Sequence, residues 1–168
     1  MLVQGLGQFL CVESMLRRET PQQLGGKLSL ICVDAVVHLP EFVFCCGVLS
    51  AFDVGRIINL KTARSQAYSG IIVGIGMASM EHTIYDQRDG TVVNSNLADY
   101  AVPVNADIHS IDVSFIDKPD PYIDDQGIGA RGVGEITITG VAAAVANAVY
   151  HATGKRIREL PITPDRLI

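Results

Sequence analysis

The sequence of 168 residues lacks the spacings by which protein side chains usually hold a metal ion. Its four cysteines, at positions 11, 32, 45 and 46, form no C-x-x-C pair, and its four histidines form no H-x-x-x-H pair. The adjacent Cys45 and Cys46 would point to opposite faces of a strand, so we do not expect one metal ion to take both. We therefore predict no metal ion bound by side chains, and thiols that are buried in a reducing compartment.

Strong positive charge and long apolar runs are also missing. The net charge is −5, and no basic cluster exceeds residues 155–158, Lys-Arg-Ile-Arg. We therefore expect no nucleic-acid partner. No apolar run reaches the ~18 residues that a membrane span needs, and no basic segment precedes the apolar residues at the N-terminus. These absences predict no membrane anchor, no signal peptide and a cytoplasmic location.

The residues that are present predict an α+β fold, with mixed strands packed on two long helices. Hydrophobic residues make up 48% of the chain and charged residues 18%, which suits one folded domain with a core. Runs of β-branched and aromatic residues predict strands, and apolar residues at three- and four-residue steps predict helices. The predicted strands cover residues 28–37, 41–49 and 110–116, the predicted helices cover 9–18, 61–81 and 136–151, a turn is predicted at 86–90, and Gly154 is predicted to end the last helix.

Small residues form a stripe on the first long helix, at Gly70, Gly74 and Ala78. Such a stripe lets another backbone or a flat ligand come close, and close helix packing is the default interpretation. Gln66 stands at the start of the same face, where its amide could hydrogen-bond a ligand.

The glycine run is the stretch Gly127-Ile128-Gly129-Ala130-Arg131-Gly132-Val133-Gly134-Glu135. Glycine allows other groups to approach the main chain closely, at an entropic cost. A loop of this composition that opens onto a helix presents backbone N–H groups to a phosphate or a similar group. We expect Glu135 at or near the helix start, where the helix dipole favours its ionised form, and we predict that it accepts a proton.

Two other interpretations of the glycine run compete. One is a flexible turn ahead of a helix, which composition alone favours. The other is a dinucleotide site, because Gly127, Gly129 and Gly132 match G-x-G-x-x-G. That fingerprint should follow a strand and precede an acidic residue about 20 positions on. Residues 118–125 are instead turn-like, and no suitable acid stands near Thr153. We therefore reject a nicotinamide site.

Three segments follow one another along the chain, and Gln66 stands between the first two, eight residues before Gly74-Ile75-Gly76. The segments are Asp53-Val54-Gly55-Arg56-Ile57-Ile58-Asn59, the Gly-Ala-Arg-Gly-Val-Gly-Glu part of the glycine run, and Leu160-Pro161-Ile162-Thr163-Pro164. In this order and spacing they resemble the carboxyl-terminal end of the molybdenum-binding subunit of the xanthine dehydrogenase and aldehyde oxidoreductase family. The resemblance covers residues 48–168 and is strongest to bacterial aldehyde-oxidising members.

This resemblance implies a fragment of a molybdenum hydroxylase that oxidises aldehydes or N-heterocycles with oxygen derived from water. Its molybdenum ion would be held by a pterin dithiolene, in the cytosine dinucleotide form of molybdopterin. Glu135 corresponds to the family's general base toward a hydroxyl on molybdenum, and Gln66 to a glutamine that contacts the pterin. Gly132 and Gly134 correspond to glycines whose backbones lie against the site. No role carries over for Arg56.

The resemblance also implies partners. Iron–sulfur (2Fe–2S) and FAD groups are expected on partner subunits or domains of the same complex, which would receive the electrons. A partner with an export signal would carry such a complex to the periplasm instead of the cytoplasm.

Departures from the family pattern occur at single positions and in the first part of the chain. Arg131 replaces a lysine, Leu60 a proline and Ser69 a glycine, and we expect Ser69 to crowd the small-residue face. Residues 1–47 do not resemble the expected preceding segment. Our hypothesis is a truncated or frame-disrupted reading, in which only residues 48–168 are the C-terminal part of a molybdopterin-binding domain. The alternatives are a non-catalytic remnant or interaction module of the same fold, and phosphate binding by an unrelated enzyme.

Overall fold

The computed structural model describes residues 29–33, 36–39, 42–45, 47–120, 122–123 and 127–167, with side chains from residue 47 onward. The helix predicted at residues 9–18 lies outside the described residues. Mixed strands and two helices confirm the predicted α+β fold. The elements are the strands β1 (Ser29–Val33), β2 (Val36–Leu39), β3 (Phe42–Cys45), β4 (Val48–Phe52) and β5 (Ile111–Phe115), the helices α1 (Leu60–Ser79) and α2 (Val141–Thr153), and the 3-10 helix Pro164–Leu167.

The first four strands form two antiparallel pairs, β1 with β4 and β2 with β3, which belong to separate sheets. Strands β1 and β4 pair with Val33 opposite Val48, and β2 and β3 pair with Val36 opposite Cys45. The strand predicted at residues 28–37 falls on β1 and β2, and the strand predicted at residues 41–49 falls on β3 and β4. The predicted ends are wrong, because β2 ends at Leu39 and β4 ends at Phe52.

Strand β5 lies parallel to β4 and completes a three-stranded sheet in the order β1-β4-β5. A parallel pair needs a long crossover connection, and α1 lies within the connection here. The strand predicted at residues 110–116 is confirmed. The turn predicted at 86–90 is also confirmed, because Tyr85 pairs with Val92 and the Gly90 N–H donates to the Asp86 carbonyl at 2.8 Å.

Helix α1 begins where the sequence supplies a capping side chain. The Asn59 carboxamide oxygen accepts hydrogen bonds from the backbone N–H groups of Lys61 and Thr62, at 3.0 and 3.2 Å. These bonds satisfy donors that the first turn of a helix leaves free. Helix α1 matches its prediction to within two residues at each end. Over the described residues, no helix combines the length and apolar character that a membrane crossing demands.

Helix α2 begins five residues later than predicted, at Val141. The predicted first residues, 136–139, are Ile-Thr-Ile-Thr, and β-branched side chains lose rotamer freedom in a helix. Gly140 then adopts φ 89°, in the left-handed region, and residues 134–140 form successive turns. The predicted end is confirmed, because Gly154 has φ 73° and donates to the Tyr150 carbonyl.

The two helices are in close contact through the small-residue stripe. A Cβ atom on Gly74 would lie 2.5 Å from Cβ of Val141, and one on Gly70 would lie 2.1 Å from Oγ1 of Thr137. Close packing, rather than a flat ligand, therefore explains these glycines. The expected crowding by Ser69 is wrong, because that side chain is exposed and does not lie on the contact face.

The core lies between the sheet, the inner faces of both helices and the C-terminal segment. On α2 only Val141, Val145 and Val149 are buried, at four-residue steps, so the described residues cover one face of this helix. The other core residues are Val48, Phe52, Val54, Ala67, Ile71, Ile75, Ala78, Val113, Ile162 and Leu167.

Candidate cofactor site

The first half of the glycine run, residues 127–131, is hydrogen-bonded to the segment that follows β4. Gly55 and Ala130 form an antiparallel bridge, the Arg56 N–H donates to the Gly129 carbonyl at 2.8 Å, and the Arg131 N–H donates to the Val54 carbonyl at 2.8 Å. The Arg131 guanidinium also pairs with the Asp120 carboxylate. Two of the segments that carry the family resemblance are therefore in direct contact.

Close approach explains the glycines in this first half. Gly55 and Gly129 have φ values of 69° and 60°, in the left-handed region that favours glycine. A Cβ atom on Gly55 would lie 2.3 Å from the Gly129 carbonyl oxygen, and one on Gly129 would lie 3.0 Å from Cβ of Pro119.

The second half of the glycine run, residues 132–135, faces open space at both of its glycines. A Cβ atom on Gly132 would have no described neighbour within 4 Å, and one on Gly134 would have only the Gln66 Oε1 atom, at 3.8 Å. Neither residue has a left-handed φ. Because neither conformation nor packing among the described residues requires glycine there, these positions leave room for a group from outside to lie against the backbone.

A cleft of about 320 Å³ lies between this half of the glycine run and the first turns of α1. It brings together Gln66 and Gly134, two of the four predicted site residues. Its polar groups are amides, hydroxyls and guanidinium groups, which suit a ligand that carries hydrogen-bonding and anionic groups. Gly132 lies two residues before Gly134 on the exposed side of the run. The cleft is also lined by Arg56, Asn59, Thr62 and Arg131.

The hydrogen-bonding side chains of the cleft and the open backbone at Gly134 are compatible with the molybdenum–pterin cofactor that the resemblance implies. Among the described residues, no group of three or more His, Cys, Asp or Glu side chains is placed to hold a metal ion. A second cleft, of about 350 Å³, lies at Thr83, Asn94 and Tyr100. It contains none of the predicted site residues.

Glu135 follows Gly134 directly, and its side chain is exposed. Its backbone carbonyl accepts a hydrogen bond from the Thr139 hydroxyl at 3.4 Å, while its carboxylate has no hydrogen-bond or ion-pair partner among the described residues. The predicted position at a helix start is wrong, because α2 begins at Val141 and a helix dipole acts only over the first turn. The carboxylate is therefore positioned by the turns of residues 134–140.

Sequence reasoning missed several residues of this site. The resemblance carried over no role for Arg56, although its guanidinium could pair with a carboxylate or a ligand phosphate, and it lines the cleft. Asn59 and Thr62 line it as well, and the Asn before an apolar periodic stretch was a signal for a helix start at that point. Thr137 is fully buried and contacts both sides of the cleft. Nothing in the sequence near Thr137 pointed to that contact.

Known proteins resemble this chain in sequence and in fold. A family model described as a molybdopterin cofactor-binding domain matches residues 43–109. The aldehyde oxidoreductase molybdenum-binding subunit PaoC of Escherichia coli is 48% identical over 121 residues, which cover 72% of this chain and 16% of that protein. The putative xanthine dehydrogenase molybdenum-binding subunit XdhA of Escherichia coli is 39% identical over 162 residues, 96% of this chain and 21% of that protein.

A solved structure gives the same relationship. Quinoline 2-oxidoreductase from Pseudomonas putida 86 superimposes with a TM-score of 0.66 at 29% sequence identity, over 75% of this chain and 16% of that one. The chain thus spans about a sixth of the length of PaoC and of this structure. On sequence and fold together, the chain belongs to the family of molybdopterin-binding subunits of xanthine and aldehyde oxidoreductases.

Proposed function

We propose that this chain forms one side of the molybdopterin site in an oxidoreductase that oxidises aldehydes or N-heterocycles. The observation that carries the proposal is the open backbone at Gly132 and Gly134, beside Gln66 and followed directly by a carboxylate. Packing within the described residues accounts for Gly55, Gly70 and Gly74 but leaves these two glycines unexplained. A cofactor against the backbone accounts for them.

In this proposal Gln66 and the glycine backbone bind and orient the cofactor. The Gln66 carboxamide offers both a donor and an acceptor, and Gly132 and Gly134 allow the pterin to approach the main chain without a Cβ atom between them. When bound, the molybdenum–pterin group supplies two-electron redox chemistry, with the oxygen added to the substrate coming from water. The cytosine dinucleotide form of the cofactor belongs to the same proposal.

Glu135 is the proposed general base. An ionised carboxylate accepts a proton without help from other residues, provided that it can reach the reacting group. The Glu135 carboxylate is exposed directly after Gly134 and is not engaged by another described residue, so it is available to hold a proton during the reaction.

The remaining parts of the enzyme lie outside the described residues in this proposal. Residues 48–168 would be the C-terminal part of a molybdopterin-binding domain, within a complex whose iron–sulfur and FAD groups are on partners. The complex would be cytoplasmic, unless a partner's export signal carries it to the periplasm. Two relatives carry names of the same kind, the gamma subunit of a 6-hydroxypseudooxynicotine dehydrogenase complex and the large subunit of a nicotine 6-hydroxylase.

A second candidate is a non-catalytic module of the same fold. The observation in its favour is the solvent exposure of Glu135, since a catalytic base usually works in a site from which water is excluded.

The decisive experiment is purification of the native protein from its own cells, together with every chain that accompanies it, followed by molybdenum and pterin analysis. We expect stoichiometric molybdenum and pterin. A Glu135→Gln variant should keep both and lose activity on aldehydes or N-heterocycles by about 100-fold or more. Glu159→Gln is the matched control, because Glu159 is exposed and pairs with Arg166 away from the cleft.

Each other outcome is informative. A complex without molybdenum and pterin contradicts the proposed function. A loaded complex whose turnover is unchanged in Glu135→Gln contradicts the role of this carboxylate. A loaded complex that turns over no aldehyde or heterocycle supports the non-catalytic module instead.

A further inference from the structure

The Thr137 hydroxyl contacts the backbone on both sides of the cleft. Its side chain is fully buried, and its Oγ1 atom lies 3.3 Å from the Gln66 carbonyl oxygen and 3.3 Å from the Gly134 carbonyl oxygen. Gln66 and Gly134 are the two predicted site residues that face each other across the cleft. One buried hydroxyl therefore touches the backbone of both.

The geometry of these contacts is that of a shared hydrogen bond. A hydroxyl carries one proton, and it can donate to two carbonyl oxygens only by sharing that proton or alternating between them. Both distances exceed the roughly 2.8 Å of a single O–H···O bond, as a shared donor requires. Within α1 the Gln66 carbonyl still has a second lone pair for this contact, since the helix ladder uses one.

The packing around Thr137 leaves room for its side chain because residue 70 is a glycine. Gly70, one turn beyond Gln66 on α1, has no side chain where Thr137 lies, and a Cβ atom there would come within 2.1 Å of the Thr137 Oγ1 atom. The same Cβ atom would lie 3.0 Å from the Ile138 backbone nitrogen. The backbone at residues 137–138 thus packs directly against the α1 backbone at Gly70.

We propose that Thr137 is a positioning residue, which sets the separation between Gln66 and the segment from Gly134 to Glu135. The Glu135 carboxylate has no hydrogen bond of its own among the described residues, so its place depends on the backbone that Thr137 holds. Thr137 matters to turnover only if the proposed function holds, whereas its hold on the glycine run does not depend on that function.

The test compares Thr137→Ser with Thr137→Ala, which both lack the methyl group and differ only in the hydroxyl. Hydrogen–deuterium exchange of the native complex, with each variant in place of the native chain, is measured over residues 132–139. We expect exchange about tenfold faster in Thr137→Ala, as the loss of one net hydrogen bond implies, and exchange close to the native rate in Thr137→Ser. Residues 60–79 report whether α1 stays folded, and Thr137→Val replaces the alanine variant if that variant does not fold.

Turnover is measured on the same preparations. We expect kcat to fall about tenfold in Thr137→Ala with KM unchanged, since a misplaced base affects the reaction step more than substrate binding, and to recover in Thr137→Ser. Thr153→Val is the control, because it removes a hydroxyl that bonds only the local backbone, the Val149 carbonyl and the Lys155 N–H.

Equal exchange over residues 132–139 in the serine and alanine variants, with α1 folded, overturns the proposal. Faster exchange with unchanged turnover in a molybdenum-loaded complex also overturns it, because the hold would then have no effect on the site. A complex without molybdenum in every variant contradicts the proposed function alone, and the exchange comparison still decides whether Thr137 holds the glycine run.

Discussion

Two groups of glycines in the described part of the chain look alike in the sequence and differ in the structure. Gly70 and Gly74 on α1, and Gly55 after β4, press against other parts of the chain, so an added Cβ atom would lie within 2.5 Å of a neighbour. Gly132 and Gly134 face open space or a distant amide. The fold explains the first group, whereas packing among the described residues does not explain the second.

This difference separates stability from binding. Replacing a glycine of the first group should destabilise the protein, and replacing one of the second group should leave it folded but impair cofactor binding. Four predictions test that separation, from the largest expected effect to the smallest.

Gly74→Val should have the largest effect. Its side chain would overlap Val141 at the contact between α1 and α2, and overpacking of a tight contact costs about 3 kcal/mol or more in an unrelaxed site. Urea denaturation followed by circular dichroism measures the loss. Ser69→Val is the control, because Ser69 is exposed on the same helix and surface changes stay within about 0.5 kcal/mol. Equal costs for both variants would mean that the helices are not in close contact.

Gly55→Ala should follow. The left-handed φ of 69° costs a residue with a Cβ atom about 1–2 kcal/mol, and the overlap with the Gly129 carbonyl adds to it. Gly90→Ala measures the cost of the left-handed φ alone, since Gly90 has φ 77° and an added Cβ atom there would have no neighbour within 4 Å. Thermal unfolding of both variants should show the larger loss for Gly55→Ala. A loss no larger than that of Gly90→Ala would argue against the close approach of residues 55 and 129.

Gly132→Ala should raise the free energy of unfolding by up to about 1 kcal/mol, because alanine restricts the unfolded chain and meets no obstacle in the folded one. The same variant should lower molybdenum and pterin content in the native complex. Gly90→Ala should do the reverse, with lower stability and full cofactor content. Normal cofactor content in Gly132→Ala would remove the reason for assigning this glycine to the site.

The smallest effect is expected in the hairpin that contains Gly90. Hydrogen bonds from Arg88 hold the pKa of the partly exposed Asp86 carboxyl below its usual 3.8. A lowered folded-state pKa contributes stability that is present above pH 3.8 and is lost as the pH falls through the folded value. Arg88→Met should raise the Asp86 pKa toward 3.8, as an NMR titration would measure, and should leave both glycine groups undisturbed. An unchanged Asp86 pKa would mean that the ion pair does not form in solution.

A single residue decides the structure at two helix ends. Gly154 was predicted to end α2 and does so, whereas Asn59 caps α1 and was not used as a signal in the sequence. The start of α2 was predicted wrongly because apolar periodicity continues through residues 136–139, while their β-branched side chains and the left-handed Gly140 prevent a helix there. The sequence pattern therefore predicted the presence of α2 but not its first residue.

Individual residues of the candidate site could be predicted from the sequence, but the contacts among them could not. The resemblance pointed to Gln66, Gly132, Gly134 and Glu135, and the structure places Gln66 beside Gly134. Their roles toward the cofactor stay predictions. Thr137 could not be found from its neighbours in the sequence, because one of its partners is 71 positions away.

That separation has a consequence for how the protein matures. The cleft joins a helix near residue 66 to a turn near residue 137, and the intervening chain has to close a long loop before either side meets the other. The cleft is therefore complete only once this long-range contact has formed. Under the proposed function, a chain that has not made this contact presents only one side of the cofactor site.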